Sequence, residues 1–239
     1  LVSATLGSEL RESLFGDTVP GLSRALTVPY PLVTHREANA RSAHAVAAPG
    51  SAKTVSFTLQ HIADDPGAVA AEAQGHALRG ARVLVIRNTV RDAVETQHAL
   101  EALATTEAAR AVLFRSGDVV APHHARYAKV DREVLDAAIE QHFGERSPSV
   151  GRVVVATQTV QQSLDLDADV LLTDLCPMDV LLQRVGRLHR HTRVGAQRRP
   201  TGYDEARAFV LVPDDRDFMK YMRKDGEVHG PHGFGTVYE

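Results

Sequence analysis

The sequence has 239 residues, enough for one domain with a sizeable core plus shorter appended segments. Its 27 Lys and Arg residues against 30 Asp and Glu residues give a net charge of −3, which excludes a global basic field as the basis of nucleic-acid binding. The single cysteine, Cys176, excludes an intrachain disulfide, and the lack of a secretion signal or a roughly 18-residue apolar run predicts a cytoplasmic protein with no membrane partner.

The first fifty residues show no clear alternation of strands and helices. Residues 8 to 50 are rich in proline at first and then in alanine and serine, which predicts a connecting segment. The stretch from Pro49 to Thr54 has the look of a phosphate-binding loop. However, Ala47 and Ala52 occupy positions where such a loop needs glycine for close approach to phosphate, so we predict no phosphate site there.

From Thr54 onward, strand and helix patterns alternate. Apolar runs and alternating patterns predict about five or six strands, from candidate segments at residues 54–59, 82–86, 111–114, 153–156, 170–173 and 207–212. Helices are predicted at residues 65–78, 89–103 and 131–143 and from Pro177 through Arg190. This order predicts an α/β fold in which a parallel sheet carries helices on both faces.

Two polar residues, Asn88 and Thr89, directly follow the predicted strand at residues 82–86. Their side chains can donate hydrogen bonds to a phosphate without reading a base. Either residue would equally well cap the helix that follows, and the two roles are compatible. The sequence therefore predicts a helix start at this strand end that is also a candidate nucleic-acid contact.

A second candidate contact lies at residues 122 to 127, where Arg126 can bind phosphate and Tyr127 can stack on a base. The adjacent His123 and His124 also suggest a metal site. Metal coordination recruits a larger ligand set, and no nearby cysteine or glutamate completes one, so we predict no metal.

The stretch from Val153 to His191 carries the strongest functional pattern. Polar residues, including Thr157 and Asp165, follow the strand at residues 153–156, and open α/β sheets bind ligands beyond the carboxyl ends of their strands. Arg187 and Arg190 lie three residues apart, so one face of a helix is expected to present both guanidinium groups. Two cations in such a cleft suit a triphosphate, although cations that merely complement a helix dipole explain them equally well.

Two segments of this stretch resemble superfamily 2 helicase motifs. Residues 156–167, ATQTVQQSLDLD, resemble motif V, and residues 183–191, QRVGRLHRH, resemble motif VI. Their amino-acid sequences most resemble those of the helicase-nuclease of type I CRISPR interference systems, the Cas3 family. Gln161 stands where a glutamate is expected in motif V. Residues 3–7, SATLG, resemble motif III, and Asn88-Thr89-Val90 resembles motif IV.

The resemblance implies a domain organisation for the chain as the downstream piece of a longer protein. Residues 51–212 would form the second RecA-like, P-loop-type helicase lobe. Residues 1–50 would contain the end of the first lobe and the linker between lobes, with Ser3 and Thr5 in interlobe coupling. Residues 213–239 would form a tail toward a further domain.

The resemblance also implies roles for individual residues. Arg190 would be the arginine finger and Arg187 its partner on the γ-phosphate. The nucleotide would also contact Asp165, Gln183 and Gly186. The DNA backbone would be held by Asn88, Thr89, Arg126 and Thr157. The implied cofactors are ATP and Mg²⁺, with Mg²⁺ held by the missing first lobe.

The implied function is that of a second motor lobe in an ATP-dependent single-stranded DNA helicase of CRISPR interference. Its implied partners are single-stranded DNA, the first lobe in the same full-length chain and a Cascade-type surveillance complex. The chain alone would hydrolyse almost no ATP, because the phosphate-binding loop and the nuclease domain lie outside it. Two alternatives remain: a lobe of another superfamily 2 translocase for restriction or repair, and a non-catalytic scaffold.

Overall fold

The computed structural model describes residues 12–14, 16, 27, 32–37, 40–47, 53–161, 164–213 and 237. The chain divides into two compact units, Leu1–Lys53 and Thr54–Glu239. In the first unit, β1 (Leu32–Glu37) and β2 (Ala40–Ala45) pair in antiparallel fashion. The predicted connecting segment therefore contains a β-hairpin, which its alanine and serine content did not indicate. Ser3 and Thr5 lie outside the described residues.

The second unit alternates strands and helices. Its strands are β3 (Val55–Gln60), β4 (Arg82–Ile86), β5 (Arg115–Ser116), β6 (Val119–Val120), β7 (Arg152–Ala156), β8 (Val170–Asp174) and β9 (Ala206–Leu211). Its α-helices are α1 (Pro66–Leu78), α2 (Val90–Leu103), α3 (Glu107–Ala111), α4 (Lys129–Phe143) and α5 (Met178–Val185). Short 3₁₀ turns span Gln158–Gln161 and Gly195–Gln197.

Five of these strands form one parallel sheet in the order β3-β9-β8-β4-β7. Every residue of β4 and of β8 is buried, because both strands have neighbours on either side and helices above and below. Strands buried on both faces appear in sequence as continuous apolar runs, which is why these strands could be predicted. The predicted α/β class and parallel sheet are confirmed.

Helices cover both faces of the sheet, as the alternation predicted. Val83 and Val85 of β4 pack in one core cluster with apolar residues of α1 and α2. Leu84 and Ile86 of the same strand pack in a second cluster with apolar residues of α4 and α5. Because successive side chains of a strand point to opposite faces, β4 contributes to both cores. Within the described residues, no helix combines the length and apolar character needed to cross a membrane.

The predicted strand at residues 111–114 is wrong. Helix α3 occupies Glu107–Ala111, and its start is capped by Thr106, whose hydroxyl accepts a hydrogen bond from the Ala109 N–H at 3.1 Å. Leu113 forms only an isolated bridge to Val153. The local capping pattern therefore outweighs the apolar run, which supplies buried side chains without joining the sheet as a strand.

Candidate functional site

Helix α5 ends earlier than predicted, and this changes the setting of both candidate catalytic arginines. Its last residue is Val185, and Gly186 is the cap. Arg187 and Arg190 therefore lie in the loop that follows, rather than on one helical face. The Ala168 N–H donates to the Arg187 carbonyl at 2.8 Å, and the His189 N–H donates to the Ala168 carbonyl at 3.0 Å. These tertiary hydrogen bonds replace the helical ones, and glycine at the boundary weakens the helix further.

The loop brings Arg190 directly against Asp165. The Arg190 Nε lies 2.7 Å from the Asp165 Oδ1, and the His191 Nε2 lies 2.9 Å from the same oxygen. The side chains of Arg190 and Asp165 are 40% and 52% exposed. An ion pair this exposed contributes at most about 1 kcal/mol, so an incoming anion can separate it at little cost.

Arg187 is more firmly held than Arg190. Its Nη2 donates to the Gln161 carbonyl at 2.6 Å, and its Nε lies 3.4 Å from the Val160 carbonyl. Burial lowers the pKa of Arg187, and the nearby positive charge of Arg190 lowers it further, while Asp165 opposes the shift. Gln183 and Gly186 lie in the last turn and at the cap of α5, just before this arginine. The structure therefore brings Asp165, Arg187 and Arg190 close together, and Gln183 and Gly186 precede this cluster in the chain.

The Asp165–Arg190 pair does not lie beyond the carboxyl ends of the strands, where the sequence predicted the site. Strand β7 carries the chain to the carboxyl edge of the sheet, and the chain must return before parallel β8 can begin at Val170. Asp165 lies on that return segment, where its N–H is 3.3 Å from a Glu140 carboxylate oxygen. The Asp165–Arg190 pair is consequently near the amino end of β8, and the predicted position is wrong for this pair. Arg187 instead contacts the turn that follows β7.

The predicted DNA residues do lie at the carboxyl edge, but two of them are buried. Asn88 is 1% exposed; its Nδ2 donates to the Leu175 carbonyl at 2.8 Å, and its Oδ1 accepts from Arg184 at 2.8 Å. Thr157 is also buried, and its N–H donates to the His123 carbonyl at 2.9 Å. In this structure neither side chain is presented for the direct phosphate contact that the sequence predicted, because the amide is bonded internally and the hydroxyl is enclosed.

Thr89 is the N-cap of α2, as one of its two predicted roles required. Its hydroxyl accepts a hydrogen bond from the Asp92 N–H at 3.0 Å and donates to the Asp92 carboxylate at 2.7 Å.

We expect Thr89→Ala to lower the free energy of unfolding by about 1 kcal/mol, because the cap is lost. Urea unfolding monitored by circular dichroism measures this change. Thr89→Ser keeps the hydroxyl, so an equal loss in that variant would contradict the capping explanation.

Arg126 is exposed, and the two histidines shortly before it make different contacts. The His123 ring nitrogens lie 2.7 Å from the Thr159 hydroxyl and 2.6 Å from an Asp136 carboxylate oxygen. The His124 ring stacks on Tyr127 with ring centroids 4.3 Å apart. Both ring nitrogens of His123 are thus hydrogen-bonded, whereas the buried His124 Nδ1 has no hydrogen-bond partner in the part of the chain that the structure describes. Among the described residues, no group of three potential ligands is arranged to hold one.

Two buried arginines that organise the carboxyl edge were not predicted from the sequence. Arg87 directly follows β4, and its Nε lies 2.9 Å from a carboxylate oxygen of Asp174, the last residue of β8. Arg184 projects from α5 and donates to the Thr173 hydroxyl at 2.6 Å, as well as to Asn88. The sequence did contain a signal for the Arg87–Asp174 pair. Each of these opposite charges stands at the carboxyl end of an apolar strand, β4 or β8.

A parallel sheet covered by helices on both faces, with an arginine-bearing loop after α5, is the architecture of a RecA-like lobe. Residues 79–193 match the family model described as CRISPR-associated nuclease/helicase Cas3, C-terminal. Together with the relatives described next, this match supports a Cas3-type C-terminal helicase lobe in this part of the chain.

The similar proteins are much longer than this chain. It is 43% identical over 99 residues to the CRISPR-associated endonuclease/helicase Cas3 of Escherichia coli, covering 41% of this chain and 11% of that protein. The Thermus thermophilus protein of the same name is 44% identical over 110 residues, covering 46% of this chain and 12% of that one. The chain therefore matches about a tenth of the length of these curated relatives.

Solved structures agree with this fold. The crystal structure of T. fusca Cas3-ADP superposes with a TM-score of 0.60 at 27% identity, over 80% of this chain and 23% of that one. A chain of a CRISPR RNA-guided surveillance complex, pre-nicking, superposes with a TM-score of 0.59 at 26% identity, also over 80% and 23%.

Proposed function

We propose that this chain provides the second motor lobe of an ATP-dependent single-stranded DNA helicase of CRISPR interference. The observation that carries the proposal is the exposed Asp165–Arg190 ion pair beside the fixed Arg187. Relatives named nuclease/helicase, and a T. fusca Cas3 structure named for its ADP, support a nucleotide function. Under this proposal residues 51–212 form the lobe, residues 1–50 belong to the first lobe and linker, and residues 213–239 lead to a further domain.

The two arginines divide the work at the nucleotide. ATP, with Mg²⁺ held by the first lobe, would supply the phosphoryl group that is transferred to water. Arg190 leaves Asp165 and places its guanidinium on the γ-phosphate, where its fixed positive charge stabilises the charge that builds in the transition state. Asp165 is thereby released to accept a hydrogen bond from a ribose hydroxyl or a water. Arg187 adds a second cation that the motif V carbonyls hold in place.

The carboxyl edge would hold the DNA strand by its backbone. Arg126 is the exposed cation among the four candidates and supplies the direct phosphate contact. The Thr89 hydroxyl donates its proton to Asp92, so Thr89 contributes by capping the start of α2. Asn88 and Thr157 make no direct contact with the DNA in this proposal. They stabilise the ends of β4 and β7, at the edge where the proposed contact lies. Binding should therefore be independent of sequence and weaken as salt rises. A surveillance complex is the proposed recruiting partner, since a similar chain occurs in one.

ATP turnover by the isolated lobe and by the full-length protein, each with and without single-stranded DNA, tests this function. We expect the isolated lobe to match the baseline without protein, because its arginines act on a nucleotide that the first lobe binds. The full-length protein should hydrolyse ATP only when single-stranded DNA is present. Rapid turnover by the isolated lobe would contradict the split site. A silent full-length protein under every nucleic acid tried would favour a scaffold instead.

A further inference from the structure

A buried cluster of five charges lies beside the loop that carries Arg190. Arg82, Arg193 and Arg199 surround the carboxylates of Asp167 and Asp169, and none of these side chains is more than 8% exposed. The Arg199 Nη2 lies 2.6 Å from Asp167, Arg82 lies 2.6 Å from Asp169, and the Arg193 Nε donates to Asp167. Burial alone would raise the pKa of Asp167, but hydrogen bonds from Arg193 and Arg199 hold it below its usual value. Asp167 is therefore a charged, fixed group.

Asp167 also forms a hydrogen bond with the main chain of the loop that carries Arg190. Its Oδ1 accepts a hydrogen bond from the Arg190 N–H at 2.8 Å. The next residue, Ala168, pairs with the main chain of Arg187 and of His189. The segment that holds the buried cluster consequently fixes the loop on both sides of His189, directly before the proposed arginine finger.

The loop needs such an anchor because His189 is strained. Its φ of 45° lies in the left-handed region, which favours glycine over a residue with a side chain. Such a conformation persists only where the surroundings determine it. The His189 Nε2 lies 3.2 Å from the Asp169 carbonyl oxygen, and burial lowers the pKa of this ring to about 4, so it is neutral at physiological pH. The strained turn brings the Arg190 side chain back to Asp165.

We propose that Asp167 is a positioning residue that sets the main chain of Arg190 for phosphate chemistry, with Arg193 and Arg199 as its fixed counter-charges. This proposal rests on the proposed function, in which Arg190 acts on the γ-phosphate. Asp167 itself is buried and touches no nucleotide. Its effect passes through one main-chain hydrogen bond, and a small displacement of a catalytic group is enough to slow a reaction severely.

Asp167→Asn in the full-length protein tests the proposal, because asparagine keeps the shape and removes the charge. In either orientation its NH2 group also replaces an oxygen that accepts from Arg193, or from Arg190 and Arg199. We expect the kcat for DNA-stimulated ATP hydrolysis to fall by about a hundredfold, with the KM for ATP within about twofold. Amide hydrogen exchange at residues 187–191 should become faster than in the parent protein. The double variant D167N/R190A should be no slower than R190A alone, since Asp167 acts only through that arginine. Asp118→Asn, a change at an exposed carboxylate, is the control.

The outcomes separate the two proposals. An unchanged kcat in folded D167N, or losses that add to those of R190A, would overturn the positioning role while leaving the arginine finger intact. If R190A itself keeps full turnover, the arginine-finger role and the positioning role are both wrong. Faster amide hydrogen exchange in D167N would then mean only that Asp167 stabilises the loop. Should D167N not fold, Arg199→Lys takes its place, because lysine keeps the charge but cannot bridge Asp167 and Asp169. The same fall in kcat is expected, and an unchanged kcat overturns the proposal.

Discussion

Arg190→Ala in the full-length protein lowers the turnover number for ATP about a thousandfold, if Arg190 is the arginine finger. The effect falls on the turnover number because the contact between Arg190 and phosphate is strongest in the transition state. Arg190 is paired with Asp165 in the structure, and an arginine finger acts mainly on the charge that builds in the transition state. The KM for ATP should therefore change by less than about threefold, which initial-rate measurements across ATP concentrations establish.

Two matched variants define what an Arg190→Ala result means. Arg190→Lys keeps the charge but loses the planar donor fork, so it should recover only part of the lost rate. Arg198→Ala removes an arginine from the same polar stretch, but its side chain is 75% exposed and pairs loosely with Asp204 at 3.7 Å, so full turnover is expected. Unchanged turnover in Arg190→Ala would remove the finger assignment, and a high KM with normal kcat would make Arg190 a simple binding residue.

The parts of the fold that the sequence predicted are those that depend on local pattern. Strands β4, β7 and β8 appear as apolar runs because both of their faces are buried, and the sequence located them to within one residue. The cap at Thr89 was equally local, since it depends on the N–H of a residue three positions away. Patterns of this kind need no knowledge of the rest of the chain.

The parts that the sequence did not predict depend on contacts across the chain. Helix α5 stops at Val185 because Gly186 weakens it and Ala168 offers the next residues hydrogen bonds of their own. The glycine is a local signal, but nothing near Val185 indicates the Ala168 partner. Asp165 and Arg190 were assigned to one site by resemblance, yet their direct pairing emerges only when the return segment before β8 meets the loop after α5. Asn88 was expected to face a ligand but is buried. Its hydrogen-bond partner Arg184 lies on a helix that is distant in the sequence, so the burial could not be predicted locally.

Asp174→Ala should cause the largest loss of stability among the changes considered. The Asp174 carboxylate is buried; it lies 2.9 Å from the Arg87 Nε and accepts the Asn88 N–H at 2.7 Å. Arg87 is fully buried too, so removing its counter-charge leaves a desolvated cation whose hydrogen bonds to Thr96 and Ala63 do not replace the ion pair. We expect the free energy of unfolding to fall by about 3–5 kcal/mol.

Urea unfolding of the chain measures this loss, provided that the slope of the transition is unchanged. Asp118→Ala removes an exposed carboxylate and should alter stability by no more than about 0.5 kcal/mol. The sharper comparison is the double variant in which Arg87→Met accompanies Asp174→Ala. Methionine removes the orphaned charge, so the double variant should be more stable than Asp174→Ala alone, although the Asn88 N–H still lacks its acceptor. Equal losses in the single and double variants would mean that the lost Asn88 hydrogen bond, rather than the buried charge of Arg87, sets the cost.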